Sequence, residues 1–285
     1  MSTGLLYLYV PGDRPERFAK AAASGADAVV LDLEDAVPLA AKDSARGAVA
    51  AWLESPERTE VPVWVRVNPG AGLVADVTAA VRGGADGIWL PKCDDRAALD
   101  RLDGLLTEVE KRFGRARTRV SPLLETGTGL WNVRAVAAGP RVAFLQIGEV
   151  DLAADLGITV TGGDELLWAR SRVVAASAAA GLRPPLAAAS PIVGDAAGFA
   201  RETRRLMESG FHGRACIHPR QLAPARDGMT PTSAEVDRAR DILTAFEAAG
   251  GGTATDRDGR LIDEAVARHA RRILARRPAP ATPAD

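Results

Sequence analysis

Aromatic residues are scarce in this chain, cysteine and histidine scarcer, and net charge almost absent; each shortage excludes something. Aromatics make up 5% of the 285 residues, so the core is expected to be built from Ala, Val, Leu and Ile. The two cysteines, Cys93 and Cys216, sit inside the apolar runs "IWLPKCDD" and "RACIHP", where reduced core thiols are expected rather than a disulfide or metal site. No His or Cys cluster is present to take zinc. A formal net charge of -1 gives no electrostatic case for nucleic acid or an anionic membrane. No apolar stretch reaches the ~18 residues of a membrane span. The N-terminus "MSTGLLYLYVPGDRPE" lacks the basic region of a signal peptide, so a cytoplasmic protein is expected.

What the chain does have is alternation. Short apolar runs at 5–10, 27–33, 61–67, 86–92, 119–124, 141–147, 183–189 and 213–218 are separated by Ala-rich segments of helical periodicity at 14–24, 40–54, 95–113, 163–181 and 195–209. Nearly continuous apolar runs are the mark of parallel strands covered on both faces. Eight strand–helix units in about 250 residues predict an α/β fold of the (β/α)8 TIM-barrel type over residues 1–249; a doubly wound sheet usually has fewer strands. The runs end in polar or turn residues: Arg14, Glu34-Asp35, Arg66, Lys92, Glu125, Gly148-Glu149 and His218. In a barrel these ends converge on one face, where active sites are built.

Beyond the eighth unit, a helix is predicted over 232–248, and Gly250-Gly251-Gly252 reads as a hinge. Residues 261–274 have the spacing of an amphipathic helix with a basic outer face. A barrel needs no such helix for closure, so residues 250–276 are expected to form a C-terminal helical lid. The tail, 277–285, is expected to be disordered.

"AVVLDLEDAVP" (28–38) places three acids, Asp32, Glu34 and Asp35, in four positions at the end of a buried run, and a cation is needed to offset their repulsion. Asp32, Glu34 and Asp35 are expected either to hold metal-bound water or to pair with Lys42 and Arg46. "SPLLETGTGLWN" puts Glu125 at the end of the fifth run, before Gly127 and Gly129, which permit a tight turn. "LQIGEVDLAADLG" puts Glu149 and Asp151 just past the sixth. Adjacent strands would bring Glu125 and Asp151 to one cation, and two carboxylates with several water positions suit Mg²⁺. Asp151 as a helix N-cap is the alternative, and Asp155 reads as a structural ion-pair member. Arg66 in "VWVRVNPG" must be paired if buried, either with a substrate carboxylate or with Glu34. Arg14 beside a Gly-containing turn is a candidate anion contact or part of a solvated helix face. Gly148 and Glu149 are candidate substrate contacts, and His218 reads as a hydrogen-bonded structural histidine. Two metal carboxylates and an arginine point to Mg²⁺-assisted chemistry on a small 2-oxo or 2-hydroxy acid.

Taken in order, "YVPGDRPERFAKAAASGADAVVLDLEDAVP", "VRVNPG", "LPK", "LLETGTGLWN", "GEVDLAADLG", "ARSRV" and "IHPRQ" resemble the citrate lyase β-subunit branch of the HpcH/HpaI aldolase family over residues 5 to 274. The resemblance implies a TIM barrel with Mg²⁺ on Glu125 and Asp151, and Arg66 on the carboxylate of an oxo-acid. It implies a carbon–carbon lyase that cleaves or forms a 3-hydroxyacyl-CoA thioester of the citryl-CoA or malyl-CoA type. It also implies a homotrimer or hexamer whose C-terminal segment lies over a neighbouring subunit. Asp263 in "GRLID" matches an aspartate that reaches the active site in trans in malyl-CoA lyase-like members; otherwise it caps the last helix. A malyl-CoA thioesterase, a malate-synthase-like condensing hydrolase and a non-catalytic subunit of a larger complex are the alternative functions. The chain departs from the family pattern in three places. Leu5-Leu6 stands for an arginine–serine pair, Glu149-Val150-Asp151 shifts the acid beside the metal aspartate, and the seventh run keeps only Asp195 of its acids.

Overall fold

The β-branched and leucine-rich runs become seven parallel strands: β1 (Leu5–Pro11), β2 (Ala28–Asp32), β3 (Val63–Arg66), β4 (Gly87–Leu90), β5 (Arg119–Leu124), β6 (Gln146–Ile147) and β7 (Gly213–Cys216). They are ordered β6-β5-β4-β3-β2-β1-β7 in a computed structural model that describes residues 5–276 apart from 57 and 59. The predicted tail, 277–285, lies outside the described residues. The seventh run forms no ladder, because Pro184 and Pro185 bring no N–H to one. Leu186 and Ala187 instead make isolated bridges to Gln146 and Arg214. Leu186 N–H donates to Leu145 O at 2.8 Å, and Ala187 N–H donates to Gly213 O at 3.0 Å. The architecture is thus α/β, with a seven-stranded parallel sheet and a TIM-barrel-like course.

Two apolar layers flank the sheet. The larger lies between sheet and helices and is mainly aliphatic, as composition requires. The smaller contains no helix residue: Tyr7, Ala28, Val30, Trp64, Trp89, Leu123, Phe144, Leu186 and Ala215. The expectation of an aliphatic core holds for the larger layer and not for this one. Four aromatics, Tyr7, Trp64, Trp89 and Phe144, meet on this face, with Trp64 edge-on to Phe144 at 5.2 Å and to Trp89 at 5.5 Å. Few side chains share this face of the sheet, so each must fill a large volume. Gly87 answers that crowding, since a Cβ there would lie 2.2 Å from the Trp64 ring.

Helix Ser233–Ala248 opens with a capping box between Thr232 and Glu235. Gly250 and Gly251 take positive φ beyond its end. The predicted helix over 261–274 starts later, at Glu264, because Leu261–Ile262 pair antiparallel with Ala254–Thr255. Phe246, Ile262 and Ala267 form a cluster of their own that packs helix Glu264–Ala275 on helix Ser233–Ala248. Among the described residues, no helix is long and apolar enough to cross a membrane.

Candidate active site

The cations that offset the acids of β2 are Arg66 and Lys92, not Lys42 or Arg46. β2 and β3 run in register, with Asp32 opposite Arg66. Arg66 donates from Nε to Asp32 Oδ1 at 2.7 Å and from Nη2 to Asp32 Oδ2 at 2.6 Å. Asp32 also accepts the N–H groups of Glu34 at 2.9 Å and Ala36 at 3.2 Å, so it is a saturated partner of Arg66 rather than a holder of metal-bound water or a partner of Lys42 or Arg46. Glu34 is shared: Arg66 Nη1 lies 2.9 Å from Oε2, and Lys92 Nζ donates to Oε1 at 2.9 Å. Burial pushes the Glu34 carboxyl up, partly countered by Arg66 and Lys92. Asp35 is exposed, 3.9 Å from Arg66 Nη1. Lys42 bonds to the carbonyls of Leu33 and Glu34 instead, and Arg46 pairs with Asp43 and Asp76. The Arg66 guanidinium lies over the Tyr9 ring, 5.4 Å from its centroid. A guanidinium has five N–H donors; two of Arg66 donate to Asp32, and Nη1 meets Glu34 Oε2 as an ion pair without a hydrogen bond, so donors on Nη1 and Nη2 remain for an anion.

Glu125 follows β5 and is buried; its Oε1 accepts the Lys92 N–H at 2.7 Å. Burial pushes its carboxyl up to about 7, and the charges of Glu34 and Asp151 add to that against the Lys92 bond. Glu125 Oε2 faces Gly148, where a Cβ would come within 3.0 Å of it. Asp151 stands exposed in the first turn of helix Glu149–Leu156. That helix is tied to the loop after Glu125 by Asp155, whose Oδ2 accepts the Gly127 N–H at 2.7 Å. The GTG turn is itself helical, Gly127–Trp131, capped by Thr126. Among the described residues no group of three or more His, Cys, Asp or Glu is arranged around a metal position. A carboxylate pair fits Mg²⁺ all the same, because that ion keeps several waters and takes one or two protein carboxylates. A divalent charge would also remove the penalty that keeps Glu125 protonated near neutrality.

The other candidates are placed as follows. Glu149 is held by Arg170, Oε1 to Nε at 2.7 Å and Oε2 to Nη2 at 2.6 Å. Gly148 N–H donates to Leu124 O at 2.9 Å, which locks the two site loops together. Arg14 is exposed just past β1. Asp263 caps helix Glu264–Ala275, accepting the Val266 N–H at 3.0 Å. His218 Nδ1 accepts the Arg220 N–H at 3.1 Å. Asp195 caps helix Ala196–Glu208. Cys93 and Cys216 are free and buried, each thiol pushed up to about 12 by burial. Lys92 was visible in the sequence as a strand end and in the "LPK" motif, with no role assigned to it.

With this geometry in place, the likenesses to known proteins become specific. Residues 5–219 match the HpcH/HpaI aldolase/citrate lyase family. The citrate lyase subunit beta of Leuconostoc mesenteroides subsp. cremoris is 33% identical over 281 residues, covering 94% of this chain and 91% of that one. The L-malyl-CoA/beta-methylmalyl-CoA lyase of Cereibacter sphaeroides (strain ATCC 17025 / ATH 2.4.3) is 33% identical over 300 residues, covering 94% and 92%. Among solved structures, CitE from Mycobacterium tuberculosis in complex with magnesium, acetoacetate and coenzyme A superposes with a TM-score of 0.81 at 31% identity, covering 96% of this chain and 98% of that one. This chain belongs to the HpcH/HpaI aldolase/citrate lyase family of carbon–carbon lyases.

Proposed function

We propose that the protein is a Mg²⁺-dependent lyase that cleaves or forms a 3-hydroxyacyl-CoA thioester, giving an acetyl-CoA-like thioester and a 2-oxo-acid. The observation that carries this reading is Glu125: a buried carboxyl, pushed up to about 7, beside the exposed carboxylate of Asp151 and next to an arginine with donors to spare. The relatives support it, being named as citrate lyase and malyl-CoA lyase, as does a CitE structure that holds magnesium and coenzyme A. In the same reading, the bridges through Leu186 and Ala187 close an eight-stave barrel.

Glu125 and Asp151 would hold the ion, with Gly148 leaving room beside Glu125 and Asp155 keeping the two loops together. When bound, Mg²⁺ supplies positive charge that polarises the 2-oxo group. Arg66 holds the substrate carboxylate with its remaining donors, braced by Asp32 below and Tyr9 alongside. In cleavage, a base takes the proton of the 3-hydroxyl, the carbon–carbon bond breaks, and its electron pair passes to the thioester enolate. A proton then returns to the enolate carbon. Asp263, contributed by a second copy in a trimer or hexamer, is our candidate for that proton transfer; Arg14, Gly148 and Glu149 border the substrate. The apolar face of Tyr7, Trp64, Trp89 and Phe144 keeps water from entering from beneath.

Incubation with acetyl-CoA, Mg²⁺ and glyoxylate or oxaloacetate tests the reading. Accumulation of an intact 3-hydroxyacyl-CoA supports a lyase; release of free CoASH indicates a thioesterase or condensing hydrolase. No turnover on any short acyl-CoA, with a stable partner subunit bound, indicates a non-catalytic component.

A further inference from the structure

Lys92 carries chemistry that the family-level reading does not use. It is one of two non-glycine residues with positive φ among those described, at 49°. Left-handed backbone is disfavoured for a lysine, and such outliers gather where a site demands them. Here the conformation aims the Lys92 N–H at Glu125 Oε1, 2.7 Å away, while the half-exposed ammonium reaches Glu34 Oε1 at 2.9 Å. Glu34 meets Arg66 Nη1 through its other oxygen. One residue therefore grips a candidate cation ligand with its main chain and a partner of the anion-binding arginine with its side chain.

Charge shows why that matters. Arg66 alone faces two buried carboxylates, Asp32 and Glu34, and so would present net negative charge to an incoming substrate carboxylate. The Lys92 ammonium balances Glu34 and leaves Arg66 attractive to an anion. We propose that Lys92 is a positioning residue that divides the site, fixing Glu125 for the cation and holding Glu34 so that Arg66 can receive the oxo-acid. This deepens the proposed function and rests on it.

Calorimetric titration of Mg²⁺ alone, and separately of pyruvate, glyoxylate and oxaloacetate, tests the inference on wild type, Lys92→Met, Lys92→Arg and Lys92→Gly. Removing the ammonium should weaken oxo-acid binding about tenfold and tighten Mg²⁺ about threefold, because one positive charge has left the site. A merely structural lysine would weaken both. Lys92→Arg should recover both affinities. Lys92→Gly should match Lys92→Met in binding without a lower melting temperature, because glycine adopts positive φ freely. Adding Glu34→Gln to Lys92→Met should reverse both shifts, since the lysine acts through Glu34. Oxo-acid affinity within twofold of wild type in Lys92→Met, or no reversal by Glu34→Gln, overturns the proposal. If wild type binds none of the oxo-acids, the proposed function fails. The Mg²⁺ titration then decides the role of Lys92 alone, and unchanged or weaker binding in Lys92→Met overturns it.

Discussion

Two clusters in this molecule are built from the same parts, an arginine between acids beside a residue with positive φ, and they end in opposite states. Arg141 (φ 62°) lies near the start of β5 and is buried. It donates to Asp103, to Glu110 at 2.5 Å, to Thr118 O at 3.2 Å and to Thr107 Oγ1 at 2.8 Å. Burial pushes Glu110 up, but the Arg141 and Thr118 hydrogen bonds outweigh it and hold the carboxyl below its usual value. Arg66 and Lys92 stand at the opposite ends of the strands, where the neighbouring acid Glu125 receives one backbone N–H and is pushed up to about 7. The chain supplies its own counter-charge at one end of the sheet and keeps unfilled arginine donors and a costly carboxyl at the other. Among barrel enzymes, the strand starts serve stability and the strand ends serve chemistry; here the difference is visible in hydrogen bonding.

Substitution should break this symmetry in four graded ways. Glu125→Gln should lower lyase kcat/KM by at least about 10⁴-fold, some 5 kcal/mol, without lowering the melting temperature. Arg141→Met should do the reverse, costing roughly 3–5 kcal/mol in urea unfolding because Glu110 loses its partner, while kcat per folded molecule stays at the wild-type value. The third contrast is in pH. The Glu125 carboxyl is raised from 4.5 to about 7 in the metal-free fold, so the stability it favours is present below pH 4.5 and lost as pH rises to 7. The loss should amount to about 3 kcal/mol. Differential scanning calorimetry should show that slope in metal-free wild type but not in Glu125→Gln, and Mg²⁺ should raise the melting temperature more at pH 8 than at pH 6. Glu110, shifted the other way, should contribute a loss only as pH falls through the acid range. The mildest effect lies outside both clusters. Asp263→Ala should remove about 1 kcal/mol of capping from helix Glu264–Ala275, read as faster amide exchange there with the seven-stranded sheet unchanged. A kcat loss well beyond that fraying would mark its proposed role in trans.

The sequence carried the sheet well wherever local pattern decides structure. Runs at 119–124 and 213–218 became β5 and β7 because they are apolar and bounded by turn residues. It was weaker where tertiary contacts decide. The run at 141–147 keeps only two strand residues, since Arg141 is diverted into its ion cluster. The run at 183–189 has the composition of a strand but too few N–H groups to make a ladder. At the site, carboxylates at strand ends were legible one at a time, because period and burial mark them. The pairing of Asp32 with Arg66 follows from a register that no local window contains. The engagement of Glu149 by Arg170 joins residues 21 positions apart, and Lys92 matters through a φ angle that its neighbours Pro91 and Cys93 do not announce.

A divalent cation seated on Glu125 and Asp151 is the centre of this account, and Mg²⁺ titration at pH 8 addresses it most directly. Wild type should take up one ion per chain, and Glu125→Gln, folded with an undiminished melting temperature, should take up none. A Glu125→Gln protein that binds Mg²⁺ as tightly as wild type would contradict the account.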